Sequence, residues 1–299
     1  MKLLPRLAAL AICLGVAPLS WAKPVVLTSM HPLSLISAAI VGENAEIVPL
    51  LPPSEEPHHY SLRIGDKLAL QKADLVVWIG PGMEGFLTRA IGDLDPAKVL
   101  TASTLPDIQL QNAQGNNETI EDFHLWLNPE YAIVIATELA NWLAAHQPQQ
   151  APGLLARLQR FSTQTRAVSH TIAENLNVLQ SRKILVDHDA FGYFFSYFGI
   201  QQAGALKSSS GLAKGARALA STLNESNFDC VVAEPRSHYN RVARVAARRA
   251  VPTVVIDPLG AHLSPSENSY TDLLLSITQA LLKCGPEINT QPKQSIKEK

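Results

Sequence analysis

Nine histidines occur in the 299 residues, and three stand in segments of unusual local chemistry. His58 lies in Pro52-Pro53-Ser54-Glu55-Glu56-Pro57-His58-His59-Tyr60, a proline-stiffened loop. His124 lies in Phe123-His124-Leu125-Trp126-Leu127-Asn128-Pro129, just ahead of a helix start. His188 follows an apolar run in Val186-Asp187-His188-Asp189-Ala190-Phe191. Asp257 closes a similar run in Ile256-Asp257-Pro258-Leu259-Gly260. From 58 to 124, 124 to 188 and 188 to 257 the separations are 66, 64 and 69 residues. Three imidazoles and a carboxylate can fill a roughly tetrahedral shell for a borderline divalent cation. The spacing by itself is a weak signal, because no HxxxH or CxxC motif accompanies it. His59 could serve in place of His58. His31, His146, His170, His238 and His262 read as ordinary loop or core residues.

The elements that must position these groups alternate between strand and helix. Val25 to Thr28, Glu46 to Leu50, Asp74 to Ile79 and Lys98 to Leu100 read as strands, with Pro49 at a sheet edge. Gly80-Pro81-Gly82 is turn punctuation, and Pro129 opens a helix through Trp142. The stretch 152–182 reads as one long helix, with Leu154, Leu158, Phe161, Val168, Ile172, Leu176 and Leu179 near helical spacing. The pattern then restarts. Strands are expected at Lys183 to Val186, Cys230 to Ala233 and Pro252 to Ile256. Helices are expected at Phe191 to Phe198, Leu212 to Leu223, Tyr239 to Ala250 and Tyr270 to Leu282. The expected fold is α/β, with two lobes, each a mostly parallel sheet flanked by helices, joined by one long backbone helix. Such lobes bind ligands in the crevice at the carboxyl ends of their strands.

The ends of the chain set the compartment. Lys2 and Arg6 precede an apolar run closed by Ser20-Trp21-Ala22, the layout of a cleaved signal peptide over residues 1–22. The expected organisation is an N-terminal lobe at 23–151, a linking helix at 152–182, a C-terminal lobe at 183–285 and a disordered polar tail at 286–299. A formal net charge of -1 offers no electrostatic footprint for nucleic acid. Cys13 falls within the signal. Cys230 and Cys284 remain, an even pair in an oxidising compartment, either as a disulfide or as two separate buried thiols.

Several segments together resemble a known family. They are His58-His59-Tyr60-Ser61-Leu62-Arg63, Ala73-Asp74-Leu75-Val76-Val77-Trp78, His124-Leu125-Trp126-Leu127, His188-Asp189-Ala190-Phe191-Gly192-Tyr193-Phe194, Ala233-Glu234-Pro235 and Asp257-Pro258-Leu259-Gly260. From about Val25 to Cys284 the chain is similar to the metal-specific solute-binding proteins of ABC importers, in particular the periplasmic zinc-binding ZnuA type. The resemblance implies a metal buried in the cleft, with ligand positions at His58, His124, His188 and Asp257. It also implies a cysteine pair at Cys230 and Cys284. Manganese-type relatives tend to place a carboxylate at the third position. Here that residue is His188, and a nitrogen-rich set favours zinc. Two departures stand out. The stretch Leu110 to Asp122 is short and carries no histidine, where many zinc-type members have a long His-rich loop. Pro57 precedes the first histidine, so the fourth ligand is Asp257, Glu55, Glu56 or water.

The resulting expectation is a monomeric periplasmic protein, not an enzyme, that captures Zn2+ and delivers it to an ABC-type membrane permease. Asp187, Asp189 or Glu234 would orient the histidine rings, and binding would weaken below about pH 6. Manganese or another divalent metal is the alternative within the same family. A zinc hydrolase would need a general base such as Asp257 or Glu234, but no HExxH or GxSxG motif is present. An adhesin is a third reading.

Overall fold

The computed structural model describes residues 23–113, 120–235 and 239–285. The expected signal peptide and C-terminal tail lie outside the described residues.

The first half holds β1 (Val25–Thr28), α1 (His31–Val41), β2 (Glu46–Pro49), α2 (Ile64–Lys72), β3 (Leu75–Trp78), α3 (Thr88–Gly92) and β4 (Val99–Thr101). The strands pair in parallel in the order β2-β1-β3-β4, so Pro49 stands on an edge strand. There its missing N–H costs no ladder bond. The Leu-Val-Val-Trp run of β3 is buried throughout, as a strand covered on both faces requires. A two-stranded antiparallel ribbon follows, β5 (Gln111–Asn112) with β6 (Glu121–Asp122).

α4 (Pro129–His146) starts where Asn128 Oδ1 accepts from the backbone N–H groups of Glu130 and Tyr131 at 2.9 and 3.4 Å. Pro129 follows in the first turn, where its missing N–H is harmless. α5 (Ala151–Leu176) runs for 26 residues, about 39 Å at 1.5 Å per residue. Its buried positions Leu154, Phe161, Thr165, Ser169, Ile172 and Leu176 form one face, which packs on α4 and α1.

The second half holds β7 (Lys183–His188), α6 (Gly192–Phe198), β8 (Gln201–Lys207), α7 (Ala216–Glu225), β9 (Cys230–Ala233), α8 (Tyr239–Arg249), β10 (Thr253–Val255) and α9 (Ser269–Leu281). The sheet is again parallel, in the order β10-β9-β7-β8. β8 escapes a reading by composition, because Gln201, Gln202 and Gly204 hide a half-exposed edge strand.

The two lobes share one apolar core. Leu33, Ile36 and Ile40 of α1 belong to the same buried cluster as Leu273, Leu274 and Ile277 of α9. Full burial of each such side chain is worth about 1.5–3 kcal/mol. Polar ties cross the same seam. Trp126 Nε1 donates to the Pro258 carbonyl and Tyr270 Oη to the Trp126 carbonyl, both at 2.8 Å. Cys230 at the start of β9 is disulfide-bonded to Cys284 beyond α9, with 5.5 Å between Cα atoms. Among the described residues no helix is long and apolar enough to cross a membrane.

Candidate metal centre

Three histidines meet from separate segments of the fold. His58 sits in a 3-10 turn, Pro57–His59, after β2. Glu56 caps that turn, its Oε1 accepting from the His58 backbone N–H at 3.0 Å. His124 follows β6 and opens a second 3-10 turn, Leu125–Leu127. His188 is the last residue of β7.

The rings converge edge to face. Centroids are 5.6 Å apart for His58 and His124, 5.6 Å for His58 and His188, and 5.0 Å for His124 and His188. One nitrogen from each lies within 4.8 Å of the others. His59 points elsewhere: it is exposed, and its ligand atoms are not in this group. Glu56 and Asp257 are also outside it. Asp257 Oδ1 accepts from Leu259 N at 2.9 Å and its Oδ2 from Ala261 N at 2.7 Å, closing the turn after β10.

Two carboxylates orient the rings. Asp122 Oδ1 lies 2.7 Å from His124 Nδ1 and also accepts from the His124 backbone N–H. Glu234, just past β9, places Oε1 3.0 Å from His188 Nδ1. Glu234 was one of three orienting candidates in the sequence. The other two take different partners, Lys207 Nζ for Asp187 and Gln202 Nε2 for Asp189. Asp122 is the residue that sequence reasoning missed. The signal was local: an aspartate two residues ahead of a turn residue readily accepts its backbone N–H. Asp122 is held in turn by Tyr193 of α6, whose hydroxyl donates to the Asp122 carbonyl at 2.9 Å and accepts from Gln111 N at 3.1 Å.

Charge follows from this layout. Burial, then the neighbouring His124 and His188 rings, pushes the His58 pKa down to about 2. Burial, with His188 nearby, holds His124 well below the ordinary imidazole value. Burial also acts against a proton on His188. The charge and hydrogen bond of Glu234 and the Ser209 carbonyl, 3.0 Å from Nε2, outweigh it and lift His188 to about 9. Burial raises Asp122 to about 7, against the pull of the His124 backbone N–H. His58 Nε2 is buried without a hydrogen-bond partner, and so is Glu56 Oε2. Glu56 Oε1 is 3.9 Å from that same His58 nitrogen.

A cavity of about 470 Å³ reaches His58 and is lined among others by Gly82, Phe123, Ser209 and Ser210. Gly82 is obligatory there. A Cβ at that position would sit 2.0 Å from the Phe123 ring.

Two parallel-sheet lobes on a shared long helix, with three convergent imidazoles, define a two-lobe solute-binding protein. The chain belongs to the ZnuA family, described as zinc-uptake complex component A, periplasmic, whose sequence model matches residues 26–284. It is 30% identical over 295 residues to the high-affinity zinc uptake system protein ZnuA of Yersinia pestis, covering 89% of this chain and 93% of that one. Its fold matches the periplasmic zinc-binding protein TroA of Treponema pallidum with a TM-score of 0.76 at 20% identity, over 88% of this chain and 99% of the other. FpvC of Pseudomonas aeruginosa, solved with Mn2+, matches with a TM-score of 0.75 at 20% identity, over 88% and 98%.

Proposed function

We propose that this chain is a monomeric periplasmic zinc-capturing protein that delivers the ion to an ABC-type membrane permease. The observation that carries this reading is the meeting of His58, His124 and His188, from three distant segments, with one donor nitrogen each within 4.8 Å. Three imidazole nitrogens suit zinc better than manganese, which prefers oxygen. The names of the curated relatives point the same way.

The fourth group is Glu56 in this reading. A buried imidazole nitrogen and a buried carboxylate oxygen, both without partners, stand on one short turn. A bound cation would satisfy both, and otherwise each costs about 1–3 kcal/mol. The Glu56 charge also reaches His188. Asp257 then keeps a structural task in its own turn. The lobes are taken as 23–151 and 183–285, with 152–182 between them.

Competitive titration of the metal-stripped mature protein against a chelating dye, with zinc and with manganese, tests this. One tight zinc site per chain, lost in His124→Ala, is the expected result. Tight manganese with weak zinc would keep the importer and reverse the metal. No tight binding of either would remove the function.

A further inference from the structure

We propose that His59 is a transient outer ligand, taking the cation at the mouth of the cleft and passing it inward to His58. This step rests on the zinc-capture reading above. His59 is exposed, whereas the His58 side chain retains only 6% of its accessible surface. Their ring centroids are 6.4 Å apart, against 5.0–5.6 Å among the three inner rings. The two imidazoles are thus nearly as close as neighbours within the cluster, but one is wet and the other covered.

Both rings have an atom close to Gly211, in the turn after β8. A Cβ on Gly211 would lie 3.5 Å from His59 Nε2 and 3.8 Å from His58 Cδ2. Gly211 has φ +74°, and it belongs to the turn in which Ser208 N donates to the Leu212 carbonyl. Ser209 and Ser210 of that turn line the same cavity as His58. With no side chain at 211, nothing from that position stands between the two rings.

The chemistry gives such a rim ligand a task. A hydrated divalent cation loses much solvation on entering a cavity walled in part by Phe123 and Ile120. An imidazole at the rim replaces lost water ligands before the inner nitrogens can reach the ion. A group that ligates only in transit speeds arrival and departure by the same factor. The equilibrium constant is then untouched.

Stopped-flow zinc association and dissociation, read with a chelating dye on the disulfide-intact protein, tests this in wild type, His59→Gln and His59→Asp. His59→Gln is expected to slow both rates several-fold at unchanged affinity. His59→Asp, which restores a ligand atom, is expected to recover most of the loss. Unchanged rates in His59→Gln would overturn the proposal. So would an equal loss in both variants, which would assign the effect to packing on Gly211. Weakened equilibrium affinity in His59→Gln would make His59 a resident ligand and also overturn it. Wild-type protein that takes up no zinc would instead defeat the underlying reading, and this step with it.

Discussion

Asp122 holds His124 twice with one oxygen, by the backbone N–H at 2.9 Å and by ring Nδ1 at 2.7 Å. Both residues are buried, so neither contact is shared with bulk water. The ring is locked with Nε2 left over for a ligand.

Replacing Asp122 by Asn therefore tests pre-orientation. The variant keeps the shape but weakens the acceptor, and zinc affinity is expected to fall by about 10–100-fold, the usual cost of losing such a partner. Competition titration reads the affinity, and circular dichroism checks that the fold persists. Unchanged affinity would show that the ring is positioned by other contacts.

The pH dependence is set by His188 more than by the other two rings. His58 and His124 are held neutral, so they do not compete for protons near pH 7. His188, lifted to about 9 by Glu234 and Ser209 against burial, does compete. A proton excludes the metal, so affinity is expected to rise with pH up to about 9 and level off above it. Ordinary imidazoles would have placed the loss below about pH 6. In Glu234→Gln the bend should move to lower pH. A zinc titration series from pH 6 to 10 reads both curves, and identical curves would remove Glu234 from the account.

Glu56 and Asp257 should separate cleanly. Glu56→Gln is expected to weaken zinc binding without lowering the denaturation midpoint. Asp257→Asn is expected to leave zinc affinity intact and cost about 1–3 kcal/mol of stability, because its carboxylate caps two backbone N–H groups. The reverse pattern, read by titration and urea denaturation, would return Asp257 to the ligand shell.

The Cys230–Cys284 bridge closes a 54-residue separation, worth about 4 kcal/mol in the chain-entropy description. The paired Cys230→Ala, Cys284→Ala variant should unfold at lower urea by a comparable amount. Its zinc affinity should hold, since the bridge contributes no donor atom. Loss of affinity in a folded variant would mean that β9 no longer presents Glu234 correctly.

Much of this protein was legible in the chain. The buried strands β1, β3, β7 and β9 each carry a run of at least three apolar residues, and the buried face of α5 is mostly apolar, because a two-sided sheet and an amphipathic helix leave such marks. The three histidines stood out by residue type: His58 in a loop past a strand, His124 ahead of a helix and His188 at a strand's end. What stayed hidden depends on contacts between residues far apart in sequence. β8 is an edge strand whose pairing with β7, not its composition, makes it a strand. By sequence Asp257 holds the fourth ligand position, with Glu55, Glu56 or water as alternatives. Only the turn geometry spends the oxygens of Asp257 on Leu259 and Ala261 and leaves Glu56 beside His58. His58 and His59 are adjacent and chemically identical, and the 3-10 turn alone decides which one faces inward. The sequence carries the imidazoles and carboxylates, and the tertiary structure brings His58, His124 and His188 within 4.8 Å of one another, a matter of a few ångströms that no spacing along the chain encodes.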